Sequence, residues 1–242
     1  MSLLPGPTLV TPRLLLRRWT SRDRAPFACI NADPEVMEHR AGPLTRRQSD
    51  ELIEQEEANF SSRGFGLWAV ERRRDGRLLG FTGLATSEFD APFCPAVDIG
   101  WQLARDAWGY GYATEGARAV LTFAFDELRL SEVLAHTTRL NKRSRAVMRR
   151  LGMTHNPNDD FDGPWYRPGH PRRRFVLYRL QASEWGRFKL APKPYVPGAS
   201  SGRGRSPARA HLEAGYQGGP ALGGLDPDPD QGDANPDRPG WS

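Results

Sequence analysis

The chain has 242 residues, with 34 Lys and Arg against 29 Asp and Glu, a formal charge of +5. No apolar run approaches the roughly 18 residues that span a bilayer, and the start lacks a charged-then-apolar leader, so a cytoplasmic location without a membrane partner is expected. Two cysteines, Cys29 and Cys94, are too few for a disulfide framework, and the basic residues are dispersed rather than clustered, so nucleic acid is not the expected partner.

Residues 9–19 alternate as a strand does, with Pro12 near the start. Ser21 and Asp23 can cap a short helix through Ile30. Asp33-Pro34-Glu35 reads as an N-cap, a proline at the first helical position and an acid in the first turn, which predicts a short helix to about His39. Residues 45–60 carry Leu52, Ile53 and Phe60 among many charges, a solvated amphipathic helix. Segments 66–71 and 78–85 flank Arg74-Asp75-Gly76 and predict a β-hairpin.

Residues 96–103 form the next expected strand. A long helix follows over 113–128, with Ala117, Val120, Leu121, Ala124 and Phe125 on one face. Then come a strand at 133–138, a helix at 142–151 closed by Gly152, and a strand at 175–180. This order gives an α+β fold with a mixed, mostly antiparallel sheet flanked by helices. From residue 191 onward Pro and Gly exceed a third of positions and apolar residues are few, so 191–242 reads as a disordered tail behind a single domain at 8–190. The last 52 residues hold five basic and six acidic side chains of the 34 and 29 overall, which leaves the part before them formally +6.

Between the strand at 96–103 and the long helix lies Arg105-Asp106-Ala107-Trp108-Gly109-Tyr110-Gly111-Tyr112-Ala113. A strand, a glycine turn and a helix start make an anion cradle, because the first helical N–H groups lack carbonyl partners and glycine lets a phosphate approach. The P-loop pattern fails, since Ala117 and Arg118 follow Gly116 where Lys and Ser or Thr are required. The dinucleotide pattern is weak, since Thr114 stands at its third glycine. Gly111-Tyr112-Ala113 fits the G-x-A end of the pyrophosphate loop of acyl-CoA-dependent N-acetyltransferases, with Trp108 at its Gln/Arg position as a departure.

Four segments extend that match. Ile99-Gly100-Trp101, Trp108-Gly109-Tyr110-Gly111-Tyr112-Ala113-Thr114-Glu115, Asn141-x-x-Ser144 and Leu151-Gly152-Met153 occur in order. Together with Leu9-x-Thr11-x-Arg13-Leu14-x-Leu16-Arg17, they resemble the GNAT superfamily of N-acetyltransferases, in its branch of ribosomal-protein N-terminal (alanine/serine) acetyltransferases. The resemblance runs from about residue 8 to about 186. It implies the GNAT fold, acetyl-CoA as acyl donor, no metal, and an amine acceptor that is a protein N-terminus or a small molecule. A second copy of the chain stays open as a partner.

The resemblance also implies site roles. Pantetheine would lie in a gap beside the strand, facing main-chain groups of Trp101, Gln102 and Leu103, one of which can donate to an oxyanion. Amides of Gly109, Tyr110, Gly111, Tyr112 and Ala113 would hold the pyrophosphate, with Trp108 also among the coenzyme-binding residues. Arg105 adds a charge-assisted contact or is a plain surface arginine. Asn141 would bond pantetheine, cap the next helix, or do both. Asp98 is the candidate base, acting through a water, with Glu88 as a rival and His136 read as a satisfied core or edge histidine. Superfamily members often supply the leaving thiolate's proton from a Tyr at the position held here by Met148, so Ser144 is the candidate acid. Residues 156–171, with Trp165, Tyr166 and His170, form an irregular loop beside the acceptor site. Two rival readings stay open, a non-catalytic acyl-CoA sensor and an RNA-binding protein whose affinity falls steeply with salt.

Overall fold

The computed structural model describes residues 6–190, so the tail expected at 191–242 lies outside the described residues. Residues 9–19 form two strands rather than one, β1 (Leu9–Val10) and β2 (Leu14–Arg17). Between them the Thr11 hydroxyl accepts the Leu14 N–H at 2.9 Å and Pro12 offers no donor, so the chain doubles back and sets Leu9 opposite Leu16. The first helix is capped one residue earlier than expected. Thr20, through its N–H and hydroxyl, donates to Asp23 Oδ2, and a 3₁₀ turn at Ser21–Asp23 leads into α1 (Arg24–Asn31).

No helix forms at 33–39. The Asp33 carboxylate does take the N–H groups of Glu35 and Val36, as a cap should, but the segment continues as a run of turns. It is too short to propagate a helix, and the Leu44 N–H bonds back to the Asn31 carbonyl at 2.9 Å, closing it into a loop with Met37 buried beneath. Then α2 (Arg46–Arg63) starts at a reciprocal Thr45–Gln48 box and stops at left-handed Gly64.

The hairpin β3 (Leu67–Arg72) and β4 (Arg77–Ser87) pairs antiparallel, and β4 pairs antiparallel with β5 (Ala96–Leu103). The remaining elements are α3 (Tyr112–Asp126), β6 (Glu132–Thr138), α4 (Lys142–Arg150), β7 (Thr154–His155), β8 (Phe161–Asp162), β9 (Arg174–Gln181) and α5 (Ala182–Leu190). Among the described residues the strands make one mixed sheet in the order β1-β2-β3-β4-β5-β6-β9-β7, with β8 also beside β9. No described helix is long and apolar enough to cross a membrane.

Helices cover both faces. Phe81 and Thr82 are neighbours on β4 and point to opposite sides. Phe27 of α1 meets Phe81 edge-on at 6.1 Å, while α3 comes so close on the other side that a Cβ at Gly116 would lie 2.9 Å from Thr82 Cγ2. The expected apolar face of α3 is in place, with Ala117, Val120, Leu121 and Ala124 wholly buried.

Candidate active site

The parallel strands β5 and β6 meet at one register position, Asp98 opposite Leu134. Beyond it β5 runs on along β4 to Leu103, and β6 runs on along β9 to Thr138. The gap between them opens into a cavity of about 850 Å³. Its walls are residues 98–103 of β5, the glycine turn, the start of α4, the 35–44 segment and the loop holding Trp165, Tyr166 and His170.

The glycine turn has the geometry of an anion cradle. Trp108 Nε1 donates to the Leu103 carbonyl at 2.8 Å, folding the turn back on β5. Gly109 and Gly111 have φ of 83° and 80°, values that favour glycine. Gly111 is the N-cap of α3 and has no side chain to cap it, so first-turn amides keep donor capacity for an anion. A Cβ at Gly109 would meet nothing within 4 Å, so the space beside the turn is open. These features fit a phosphate-bearing coenzyme.

The turn is braced from outside. Arg13 Nε meets Glu115 Oε2 at 2.6 Å, Arg13 Nη1 donates to the Tyr110 carbonyl at 2.9 Å, and the Thr11 hydroxyl donates to Glu115 Oε1 at 2.6 Å. Burial pushes the Glu115 carboxyl up, but these bonds outweigh it and hold the group below its usual range. Glu115, which could have been only a helix-dipole partner, ties the first strands to the turn.

Of the residues singled out above, Asp98, Trp101, Gln102, Leu103, Trp108, Gly109, Gly111, Tyr112, Ala113, Asn141 and Ser144 line the cavity, and Arg105 and Tyr110 do not. The Arg105 guanidinium pairs with Glu35 at 2.6 Å and lies over the Trp108 ring, which Arg143 also covers. Tyr110 is 63% exposed and stacks on Tyr112. The Gln102 side chain is committed elsewhere: it donates to Asn31 Oδ1 at 2.6 Å, and Asn31 donates to Ser49 at 2.9 Å. Asn141 caps α4 by accepting the Ser144 N–H at 3.0 Å and donates to the Thr137 hydroxyl at 3.0 Å, which leaves its second amide N–H for other use. Met148 is buried at the cavity wall and carries no transferable proton.

Asp98 is 2% exposed. The Ser87 hydroxyl donates to its Oδ2, and His136 Nε2 lies 3.3 Å from the same oxygen. Asp98 Oδ1 and His136 Nδ1 are both buried with no hydrogen-bond partner. The His136 ring lies nearly parallel to Trp165 and has Phe89 and Phe161 at its sides. His136 is therefore not the satisfied histidine that the sequence suggested, and Glu88 does not line the cavity. The signal was faint but present: alternation puts His136 on the same side of β6 as Leu134, the residue opposite Asp98.

Residues 13–154 match the sequence model of the Acetyltransferase (GNAT) domain. The chain belongs to the GNAT acetyltransferase family. The Bacillus subtilis protein YkkB, itself uncharacterized, is 35% identical over 146 residues, spanning 60% of this chain and 84% of that one. The FsC-acetyl coenzyme A-N(2)-transacetylase of Aspergillus fumigatus is 33% identical over 201 residues, 78% of this chain and 82% of that one. In structure the chain is similar to an acetyltransferase from Agrobacterium tumefaciens, with TM-score 0.59 and 27% identity over 72% of this chain and 94% of that one. These likenesses bear out the expected GNAT fold and an acetyltransferase enzyme.

Proposed function

We propose that this acetyltransferase moves an acetyl group from acetyl-CoA directly to a primary amine within one ternary complex. One observation carries the reading: β5 and β6 part after Asp98 and open onto an uncapped helix start with two left-handed glycines. The name of the Aspergillus relative, which specifies acetyl coenzyme A and an N(2) position, supports the donor and the amine.

Bound acetyl-CoA supplies the activated acyl carbonyl and a thiolate leaving group. Amides of residues 109–113 hold the diphosphate, while main-chain groups of Trp101, Gln102 and Leu103 and the free N–H of Asn141 line the path of the pantetheine. Asp98 receives the amine proton through a water, and His136 keeps the carboxylate oriented through Oδ2 and can share that proton. Ser144, on the cavity wall at the first turn of α4, is the acid or the group that orients a water. Asp98 Oδ1, buried and without a partner, is the oxygen left to face the acceptor side.

A protein N-terminus, as in the ribosomal-protein branch, and a small-molecule amine are the acceptor classes. Met148 favours a second reading, a non-catalytic acyl-CoA sensor, because that position cannot return a proton. A CoA titration by calorimetry tests the cradle, and a mass-spectrometric screen of peptide N-termini, lysine and small amines with acetyl-CoA tests the transfer. Heat of binding with no acetylated product supports the sensor; no binding by well-folded protein ends both readings.

A further inference from the structure

Aromatic rings crowd the acceptor end of the cavity. Phe89, Phe161, Trp165 and Phe175 surround His136, with ring centres 5.7 to 6.1 Å from its own. Of these, Trp165 and Phe175 line the cavity together with Asp98 and His136, and Trp165 is only half-buried. Parallel rings in contact stand about 3.5 Å apart. His136 and Trp165 lie within 13° of parallel with centres 6.1 Å apart, so they are offset and do not cover one another face to face. Phe89 and Phe175 meet Trp165 at 68° and 60°, in T-shaped contacts rather than stacks. Trp165 therefore keeps ring face for a further group in the cavity.

The loop is built to hold that ring. A Cβ at Gly163 would lie 2.7 Å from Phe175 Cε2 and 3.0 Å from Trp165 Cε3, so the two rings occupy the space a side chain would need. The Gly163 N–H donates to the Arg173 carbonyl at 2.8 Å, and the Arg173 guanidinium donates to the Tyr166 carbonyl, which pins the chain on both sides of Trp165. Asp98 Oδ1 and His136 Nδ1, also at this end, are buried without hydrogen-bond partners. His136 Nε2 faces the Asp98 carboxylate, so the neutral ring carries its hydrogen there and Nδ1 is a bare acceptor. Two buried acceptors call for donors, which an ammonium, or the water relaying its proton, supplies. The described acids on the cavity wall are Asp98 and Glu35, and Glu35 is engaged by Arg105 and Arg143, so a second ammonium would meet no free carboxylate there.

We infer that Trp165 is the specificity-determining residue of the acceptor site, and that it selects a primary amine carried on an apolar, ring-bearing body. The inference rests on the amine-transfer reading and narrows its acceptor. The amine end meets the two bare acceptors, and the ring lies against the uncovered face of Trp165 with Phe175 beside it. A ring placed there gains burial and an offset or edge contact, whereas a hydroxyl or a second charge loses its water without gaining a partner. Because the loop holds Trp165 in place beforehand, little ordering has to be done when the acceptor binds.

The test uses the full chain with acetyl-CoA and five acceptors: phenethylamine, hexylamine, ethanolamine, diaminobutane and a peptide with an N-terminal serine. Rates are taken per neutral amine, so that differences in amine pKa drop out. The kcat/KM for phenethylamine should exceed those for ethanolamine, diaminobutane and the peptide about tenfold or more, and that for hexylamine about threefold. In Trp165→Ala the advantage over ethanolamine should shrink to about threefold or less, chiefly through KM, and Trp165→Phe should restore most of it. CoA affinity by calorimetry should stay within about twofold in both variants. Parity among the five acceptors in the wild type, a polar acceptor that outperforms phenethylamine, or an undiminished advantage in Trp165→Ala would overturn the inference alone. CoA binding with no acetylation of any amine would overturn the transfer reading and this one with it. If Trp165→Ala fails to fold, the wild-type order and Gly163→Ala, which crowds the Trp165 ring and should weaken the same preference, still decide.

Discussion

His136 Nε2 lies 3.3 Å from Asp98 Oδ2, and the Ser87 hydroxyl donates to that same oxygen. Two groups on one oxygen fix the carboxylate and leave Oδ1 buried without a hydrogen-bond partner. Asp98→Asn keeps the shape and removes the base, so kcat should fall by about 10²–10⁴ with CoA affinity unchanged. His136→Gln should cost less, about tenfold, because an amide still donates to Asp98 but cannot take a proton. Steady-state rates with calorimetry check both. Retention of full kcat by Asp98→Asn would remove Asp98 from the chemistry.

The glycine turn was legible because it rests on local rules: where φ is positive, where a helix begins, where a side chain would be in the way. The long helix and the central strands were legible for the same reason, through the periodicity of Val120, Leu121 and Ala124 and of residues 96–103. The turns at 33–39 were not, because a bond from beyond the segment decides them, that of the Leu44 N–H to the Asn31 carbonyl, and the break at Pro12 was not, because the Thr11–Leu14 side-chain bond that makes it leaves no mark on the alternation. The two-residue strands β7 and β8 carry no period at all and exist through pairing with β9. His136 was read as a satisfied core or edge histidine because its partner lies 38 residues away in sequence and comes within reach only through the Asp98–Leu134 pairing.

The Arg13–Glu115 brace acts on the cradle from outside the cavity. Glu115→Gln loses the charge that holds Arg13 against the Tyr110 carbonyl. The coenzyme KM should rise about three- to tenfold while kcat stays near the wild-type value, the pattern of lost binding rather than lost chemistry. The Arg13→Ala variant should behave alike, and the double variant should be little worse than either single. Additive losses would mean that the two side chains act separately.

Asp23 sits under a fork. Arg17 Nη1 and Nη2 reach its two oxygens at 2.7 and 2.8 Å, and Arg17 Nε reaches Glu71 at 2.8 Å. Burial pushes the Asp23 carboxyl up, but the bonds from Arg17 and Thr20 outweigh it, and its pKa lies below 3.8. A depressed carboxyl contributes stability that is present above the unfolded pKa and is lost as pH falls through the folded one. Asp23→Asn leaves Arg17 facing a neutral partner at a site 2% exposed, and should cost about 3 kcal/mol at pH 7. Urea denaturation at pH 7 measures this, and the gap between variant and wild type should narrow below pH 4.

Glu56 behaves in the opposite sense. Its Oε2 accepts the Leu67 N–H at 2.7 Å within the core, and burial pushes the carboxyl up to about 7 despite that bond. The folded chain keeps this proton to about pH 7, whereas the unfolded chain releases it near 4.5. Folding therefore takes up a proton between those values, and stability declines as pH rises across that window. Glu56→Gln retains an acceptor for Leu67 and removes the ionisable group. At pH 8 the variant should be more stable by about 2–3 kcal/mol, and near pH 4.5 the two proteins should differ little. Denaturation midpoints at the two pH values decide it: an equal difference at both would mean that Glu56 is already ionised in its buried site, with its charge compensated there.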